Sequence, residues 1–320
     1  MIERLGAPLA DPIFNQLAII GAGLIGSSIA RAARRRNAAR RIVLADHSFG
    51  VLKRAKALKL GDLVTDDAAR AVRGADCVIL AVPVGANEAV GRAIAPALGA
   101  GVIVSDVGSV KSAVISTLEA VLPGHVRLAP AHPVAGTEQS GPDAGFASLF
   151  VNRWCILTPA RGADDEAVTM VKSFWEALGS HVEIMSAAHH DLVLAITSHV
   201  PHLIAYNIVG TAADLEEVTR SEVIKFSAGG FRDFTRIAAS DPTMWRDVFL
   251  HNKDAVLEML GRFNEDLTAL QRMIRRGDGD GLFALFTRTR AIRLGIVAEG
   301  QETAAPDFGR RASTVEEPEP

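Results

Sequence analysis

The stretch AIIGAGLIGSSIARAARRR near the start of the chain restricts the fold more than any other feature. Gly21, Gly23 and Gly26 form a GxGxxG pattern that follows an apolar strand and opens an amphipathic helix. Such glycines serve, in order, a tight turn, the close approach of backbone to a pyrophosphate, and the packing of the helix on the strand. The anion would lie at the helix N terminus, so Leu24 and Ile25 join the three glycines as predicted cofactor-binding residues.

An acidic residue at the end of the second predicted strand strengthens this interpretation. Asp46 lies 20 residues after Gly26, where an acid hydrogen-bonds the adenosine ribose diol and repels a 2′-phosphate. The alternative is that the glycines only turn the chain and Asp46 only ends a strand, which does not explain both features at this spacing. The sequence therefore predicts a dinucleotide site that takes NAD, with NADP less favoured.

Short β-rich runs alternate with helical patterns from residue 16 to about 160, which predicts a parallel sheet with helices on both faces. After residue 187 the apolar residues recur at three-to-four spacing over long stretches, which is typical of helices. We predict an α/β Rossmann-type domain followed by an all-α domain. The predicted strands are 16–20, 41–46, 77–83, 101–107, 126–132, 154–159 and 181–185.

The change of pattern sets the predicted boundaries. Residues 1–15 form an N-terminal extension, 16–187 the NAD-binding domain and 188–302 the helical domain. The last stretch, 303–320, has few large apolar residues and is predicted to be a disordered tail.

Composition excludes several classes of function. The formal net charge is −3 and basic residues are scattered among acidic ones, which argues against a nucleic-acid or anionic-membrane partner. No apolar run approaches the roughly 18 residues of a membrane span, and MIERLGAPLADP lacks the apolar core of a signal peptide. We therefore predict a cytoplasmic protein with a small-molecule partner. Cys77 and Cys155 lie in apolar runs without metal spacing and are predicted to be inert core residues.

A histidine directly precedes a proline in AHPVAGTEQSG, residues 131–141. Pro133 disfavours the α conformation for its predecessor, so His132 is predicted to be extended in a loop that follows a strand. An isolated histidine is usually structural. At the strand edge where ligands bind in α/β sheets, however, His132 is favoured as an acid–base group.

VSDVGSVKSAV, residues 104–114, follows another predicted strand in the same way. Ser109 and Lys111 are expected to face the same crevice as His132. The alternative for Ser109 is that it caps the next helix, a common use of serine at a strand-to-helix turn.

Two polar segments interrupt the helical half. TSHVPHLIAYNI places Ser198, His199 and His202 around Pro201; a zinc pair is conceivable, but no third ligand lies at a useful spacing, so no metal is predicted. SAGGFRDFTRIAASDPTMWRDVF carries three arginines among aromatic residues. One of them could bind a carboxylate, and the alternative is ion pairing on the helix surface. The three are Arg232, Arg236 and Arg246.

Five motifs together resemble the prephenate/arogenate (cyclohexadienyl) dehydrogenases of tyrosine biosynthesis. They are GAGLIGSSIA, DVGSVK, HPVAGTEQSG, SHVPH and GGFRDFTRIAASDPTMWRDVF, in order between about residues 16 and 290. The resemblance implies a Rossmann domain, a helical domain that forms a homodimer, and oxidative decarboxylation of a cyclohexadienol with NAD or NADP. It leaves open whether prephenate or arogenate is preferred.

The resemblance also implies roles for particular residues. His132 would accept a hydrogen bond from the ring hydroxyl, Ser109 would lie between that hydroxyl and the nicotinamide, and Arg236 would hold the ring carboxylate. Gly229 and Trp245 are expected from the partner subunit. The remaining expected members of the site are Thr137, Ser198, His199 and His202 as pocket residues, and Glu138, Asp191 and Asp233 as an ionic gate or support.

Two alternatives remain open at this point. Another dehydrogenase with a Rossmann domain and a helical domain, such as a β-hydroxyacid dehydrogenase or an imino-acid reductase, would place a catalytic lysine in the helical half, where Lys225 and Lys253 are candidates. The second alternative is a nucleotide-sensing protein without catalytic activity. The joint presence of His132, Ser109 and Arg236 argues against this alternative.

Overall fold

The computed structural model describes residues 6–137, 139–219 and 228–298. The chain divides into two compact units, Met1–Met259 and Leu260–Pro320. The second unit begins inside a long helix. The predicted tail, 303–320, lies outside the described residues.

A six-stranded parallel sheet forms the centre of the N-terminal part, in the order β3-β2-β1-β4-β5-β6. This order places β1 beside β4, so the chain reverses direction across the sheet there, as in dinucleotide-binding folds. Strand β3 was not predicted, because three residues carry too little pattern. The strands are β1 Phe14–Ile20, β2 Ala39–Ala45, β3 Leu63–Thr65, β4 Cys77–Leu80, β5 Ile103–Asp106 and β6 Arg127–Leu128.

Successive residues of a strand point to opposite faces of the sheet. Both faces of this sheet therefore carry apolar side chains, and helices cover both. Leu17 and Ile19 of β1 pack in one hydrophobic cluster, and Ala18 and Ile20 pack in the other. The predicted Rossmann-type architecture is thereby confirmed. Its helices are α1 Leu24–Arg36, α2 Phe49–Ala57, α3 Ala68–Val72, α4 Asn87–Ile94 and α5 Ser112–Val121.

The predicted strand 126–132 is wrong as one element, since the chain leaves the large sheet at Pro130. Proline has no N–H to donate to a strand ladder, and the residues after it pair elsewhere. They form β7, Ala131–Pro133, which runs antiparallel to β8, Trp154–Leu157. Strand β9, His181–Ile184, runs parallel to β8 and completes a separate three-stranded sheet. Helix α6, Asp165–Ala177, connects β8 to β9.

The C-terminal part is helical, as predicted. A π-helical turn, Ala195–His199, joins the first two helices, and a 3₁₀ turn, Arg236–Ala239, follows the third. The helices are α7 Ala187–Leu194, α8 Val200–Thr219, α9 Gly229–Thr235, α10 Pro242–His251, α11 Lys253–Arg276 and α12 Gly279–Ala298.

One helical stretch among the described residues, Ala187–Leu215, is long and apolar enough to cross a bilayer, with a mean hydropathy of 1.5. Polar residues interrupt this stretch, so it contains no continuous apolar run of that length. A core helix of a soluble protein meets the same criterion. Here Asp191, near its start, is buried and hydrogen-bonded to the turn before α5, so this end packs against protein.

Candidate active site

The turn after β1 has the geometry that the three glycines predict. Gly21 has a φ of +101°, and a side chain there would overlap the carbonyl oxygen of Ala81. A side chain at Gly26 would overlap the carbonyl oxygen of Gly21. A Cβ at Gly23 would meet nothing within 4 Å, so this position presents backbone to open space. The turn therefore has room for a pyrophosphate against its backbone.

The N terminus of α1 is available to an anion. Gly23 occupies the cap position and no side chain bonds to the first amides of the helix. Those amides belong to Leu24, Ile25 and Gly26, and free amides at a helix N terminus bind phosphate groups. The residues present fit a bound dinucleotide at this turn.

Asp46 lies beside the glycine turn. Its Oδ2 accepts a hydrogen bond from the Ala22 amide at 2.9 Å, and its Oδ1 accepts one from the Ser48 amide at 2.9 Å. The side chain is only 11% exposed. The carboxylate is thus fixed at the end of β2, where the sequence predicted a ribose-binding acid.

The turn after β5 differs from the prediction at Lys111. Its side chain is fully buried, where Nζ donates to Asp106 and to the Ala131 carbonyl, the latter at 2.7 Å. A buried ammonium requires such partners because desolvation of an unpaired charge is costly. Lys111 therefore does not face the crevice; it ties this turn to β7, the strand that carries His132.

The capping alternative for Ser109 is also wrong. Helix α5 begins at Ser112, and its first amides are bound by the carboxylate of Asp191, which accepts from the amides of Lys111 and Ser112 at 2.8 Å each. The Ser109 hydroxyl is half-buried and has no polar partner within the part of the chain that the structure describes. It remains available to a ligand.

His132 lies on β7 and is 7% exposed. Its Nδ1 is 2.8 Å from Nε2 of His190, and Nδ1 of His190 is 2.9 Å from Oδ1 of Asp191. Burial lowers the pKa of His132 well below 6.5, and the neighbouring His190, Lys111 and His199 lower it further. The imidazole is therefore neutral at physiological pH and can accept a proton.

His199 lies at the end of the π-helical turn and is fully buried. The amide nitrogen of Asn252 donates to the Asp191 carbonyl at 2.9 Å and lies 3.0 Å from Nδ1 of His199. Because an amide nitrogen only donates, Nδ1 is the acceptor and Nε2 carries the hydrogen. Nε2 has no hydrogen bond of good geometry within the described residues, although the backbone of Ser109 is close enough to interact with this ring. Burial lowers the pKa of His199 to about 4, so the ring is neutral and carries a donor near Ser109.

His202 and Trp245 lie beside His199, whose ring centroid is 6.1 Å from that of Trp245. Their rings stack with centroids 3.6 Å apart, and Nδ1 of His202 lies 2.8 Å from the Ser198 carbonyl. Burial lowers the pKa of His202, and the positive charge of Arg236 lowers it further, which places the guanidinium nearby. Trp245 packs within its own chain here, so its contribution to a partner's pocket stays a prediction.

The other predicted residues are less closely connected. Thr137 accepts a hydrogen bond from the Gln139 amide at 3.2 Å within the loop after β7. Gly229 begins α9 and is exposed. Asp233 is paired with Arg232 at 3.1 Å, as in the surface ion-pair alternative. Glu138 lies outside the described residues.

No group of three or more metal-binding side chains occurs among the residues described. Cys77 and Cys155 are both buried and unpaired, and burial raises the pKa of both thiols. Both cysteines therefore occupy the core, as predicted.

Sequence reasoning missed two residues that connect the site. His190 contacts His132 directly, and Asn252 holds His199. The signal for His190 was the polar triplet HHD at the start of a long apolar helix, where a buried polar residue requires a partner. No signal pointed to Asn252, because its role depends on how α10 and α11 pack.

A glycine turn that fits a dinucleotide, and a neutral buried histidine on a strand joined by Lys111 to the turn after β5, define the class of dinucleotide-dependent oxidoreductases. The family follows from comparison with known proteins. Residues 29–184 match the family model described as prephenate dehydrogenase, nucleotide-binding domain, and residues 186–288 match the one described as prephenate dehydrogenase, dimerization domain. The chain belongs to the prephenate dehydrogenase family.

Two individual relatives support the same family assignment. The chain is 48% identical to cyclohexadienyl dehydrogenase of Zymomonas mobilis over 89% of this chain and 97% of the relative. It is 35% identical to prephenate dehydrogenase of Bacillus subtilis over 92% of this chain and 79% of the relative.

Solved structures show the same fold. Prephenate dehydrogenase of Aquifex aeolicus, in complex with hydroxyphenyl propionate and NAD⁺, superposes with a TM-score of 0.83 at 32% identity, over 88% of this chain and 98% of that one. Synechocystis arogenate dehydrogenase superposes with a TM-score of 0.73 at 26% identity, over 88% of this chain and 99% of that one.

Proposed function

We propose that the protein catalyses the NAD-dependent oxidative decarboxylation of prephenate, arogenate or both, to 4-hydroxyphenylpyruvate and tyrosine respectively. The observation that carries this proposal is His132, a buried, neutral imidazole on β7, the strand that Lys111 joins to the turn that carries the unengaged Ser109. The cyclohexadienyl, prephenate and arogenate dehydrogenases that the chain resembles support the substrate class.

The chemistry accounts for the types of residue. Bound NAD supplies the acceptor for the hydride that leaves the carbinol carbon of the ring. As the hydroxyl proton passes to His132, the electrons of the bond to the ring carboxylate flow into the ring and CO₂ leaves. The product ring is aromatic, so the ring itself takes up the electron pair, and the phenolate oxygen that results takes the proton back from His132 to give the phenol. A general base of this kind contributes about 10²- to 10⁴-fold to the rate.

Four residues have separate tasks in this scheme. His132 accepts the hydroxyl proton, and Ser109 lies between that hydroxyl and the nicotinamide. Arg236 binds the ring carboxylate, because a guanidinium is always charged and forms paired hydrogen bonds with a carboxylate. Asp46 favours NAD over NADP by repelling a 2′-phosphate.

The competing dehydrogenase classes have weaker support. They require a catalytic lysine in the helical half, and Lys253 is exposed at the start of α11. Lys225 lies outside the described residues. The nucleotide-sensing alternative does not account for a buried, neutral histidine that is held by His190 and Asp191.

The active form is proposed to be a homodimer in the cytoplasm. Large apolar side chains are exposed on the C-terminal helices, which is unusual for a surface in contact with water. On α12, Phe283 is 75% exposed and Phe286 is 57% exposed, and on α11, Ile274 is 66% exposed. Sedimentation equilibrium tests the dimer, and a fully active monomer would contradict it.

The substrate assignment is tested by following NADH formation and CO₂ release with purified protein, NAD and one of four substrates: prephenate, arogenate, a β-hydroxyacid, or a saturated cyclic amino acid, the reduced product of an imino-acid reductase. Turnover with prephenate or arogenate alone is expected. Turnover of a β-hydroxyacid would favour a β-hydroxyacid dehydrogenase. NAD binding without turnover of any of the four compounds would favour a nucleotide-sensing protein without catalysis.

A further inference from the structure

A continuous series of side-chain contacts connects His132 to Asp191, and the proposed reaction gives these contacts no role so far. The series runs from Nδ1 of His132 to Nε2 of His190 over 2.8 Å, and from Nδ1 of His190 to Oδ1 of Asp191 over 2.9 Å. The three residues are 7%, 0% and 5% exposed. Water therefore has little access to these atoms, and the hydrogen positions follow from the partners.

The assignment starts at Asp191, whose partners are unambiguous. Its carboxylate accepts from the amides of Lys111 and Ser112 at 2.8 Å each. Hydrogen bonds from these amides and from His190 lower its pKa despite burial, so the carboxylate is ionised and can only accept. The hydrogen between the two side chains therefore belongs to Nδ1 of His190.

The same reasoning extends to His132. Burial lowers the pKa of His190, so this ring is neutral, and with its hydrogen on Nδ1 it has a lone pair on Nε2. That lone pair faces Nδ1 of His132. A hydrogen bond at 2.8 Å requires one donor, so Nδ1 of His132 carries the hydrogen. Nε2 of His132 is then left with a lone pair.

We propose that His190, held by Asp191, is a positioning residue that keeps His132 in the tautomer with its hydrogen on Nδ1, so that Nε2 accepts the substrate proton. This inference rests on the proposed function. The opposite tautomer would present a donor to the hydroxyl, and a base in that form cannot take the proton. An acid that orients the catalytic histidine in this way is known from the Ser-His-Asp triad, where the wrong tautomer lowers kcat by about 10⁴.

The arrangement also receives the positive charge that the reaction creates. When Nε2 of His132 takes the hydroxyl proton, the ring becomes an imidazolium whose Nδ1–H already donates to His190. That proton can move to Nε2 of His190, which leaves His132 neutral and places the charge next to the Asp191 carboxylate. His132 then carries its hydrogen on Nε2. It regains the starting tautomer when that hydrogen passes to the phenolate oxygen of the product and the proton on His190 moves back to Nδ1 of His132.

Two amide substitutions at one position separate these contacts. The amide of glutamine reaches the position of Nε2, so His190→Gln retains an acceptor for His132. The amide of asparagine reaches only the position of Nδ1, so His190→Asn retains the contact with Asp191 but not that with His132. His189, adjacent in sequence and exposed, supplies the matched control His189→Gln.

The readout is the tautomer of His132, measured by ¹⁵N NMR of the labelled full-length protein, together with kcat, KM and NAD affinity. We expect the Nδ1–H form in the wild type, in His190→Gln and in His189→Gln. In His190→Asn we expect a mixture, with kcat at least about tenfold lower and NAD affinity unchanged. Comparable melting temperatures of the two amide variants exclude a folding defect.

Two results would overturn the inference. One is a wild-type His132 that carries its hydrogen on Nε2, and the other is a folded His190→Asn variant with wild-type tautomer and kcat. The NMR measurement needs no substrate, so it remains decisive if neither prephenate nor arogenate is turned over. An enzyme that turns over prephenate with the wrong tautomer would refute only the role of His190.

Discussion

The carboxylate of Asp46, at the end of β2, accepts a hydrogen bond from the backbone amide of Ala22 in the glycine turn, with 2.9 Å between Oδ2 and the nitrogen. This contact joins the residue that would bind a ribose to the turn that would bind a pyrophosphate. The negative charge is therefore held against the cofactor site rather than directed into solvent. A 2′-phosphate at this position would meet a fixed negative charge.

Replacing Asp46 should therefore relax the choice of cofactor. In Asp46→Ser the charge is lost while an oxygen remains, and we expect the ratio of kcat/KM for NAD to that for NADP to fall by at least about tenfold, or roughly 1.4 kcal/mol. Asp62→Asn, at a carboxylate that binds the Ile42 amide of β2 and Arg34, should leave the ratio unchanged. A wild-type enzyme that already uses both cofactors equally well would contradict the role of Asp46.

Arg236 is expected to act in binding rather than in proton transfer. Its charge lowers the pKa of His202, so it lies within the site, and a carboxylate is present before the transition state is reached. Arg236→Ala should raise KM for prephenate by about 10- to 100-fold with a smaller change in kcat.

The matched control for Arg236 is Arg232→Ala, one helical turn earlier. Arg232 is 78% exposed and paired with Asp233, so steady-state kinetics should be nearly those of the wild type. An Arg236→Ala variant that loses kcat with an unchanged KM would assign Arg236 to the transition state instead.

Lys111 should be required for stability. Its ammonium is buried with the carboxylate of Asp106 and donates to the Ala131 carbonyl. Lys111→Ala leaves a buried carboxylate without its counter-charge, which costs about 3–5 kcal/mol of unfolding free energy. Urea denaturation measures this, and the exposed Lys53→Ala provides the control. A loss below about 1 kcal/mol would show that the buried pair does not hold this turn to β7.

The pH dependence of kcat/KM should reflect the environment of His132. Burial lowers its pKa well below 6.5, and the base must be neutral to accept a proton. The rate should therefore be constant from pH 7 down to 6.5 and fall only at lower pH. The activity that remains after enzyme is incubated at each pH and returned to pH 7 measures irreversible inactivation, and the profile is corrected for it. An acid limb centred at or above pH 6.5 would contradict a buried, neutral His132.

Local chemistry in the sequence was sufficient to predict the dinucleotide turn. Glycines at fixed spacing and an acid at the end of the next strand are determined by neighbours in sequence, and Gly21, Gly26 and Asp46 lie as predicted. The two-part architecture also follows from periodicity. These features depend on residues within about one strand-helix-strand unit of each other.

Contacts between distant segments were not predictable in this way. Pro130 marks where the chain leaves the large sheet, but nothing local shows that β7 then pairs with β8, more than 20 residues later. The partner of Lys111 was equally hidden, because a lysine in a polar turn gives no sign that it is buried. The contact between His132 and His190 spans 58 residues, and only the packing of α7 beside β7 brings the two rings together.

The central claim is that Nε2 of His132 accepts the proton of the substrate hydroxyl, and the kcat of His132→Asn tests it most directly. Asparagine places its amide nitrogen near the position of Nδ1, so the contact with His190 can persist while the base at Nε2 is removed. We predict a fall in kcat of about 10²- to 10⁴-fold, with NAD affinity near that of the wild type. A folded His132→Asn variant that binds NAD and keeps more than about a tenth of the wild-type kcat would contradict the claim.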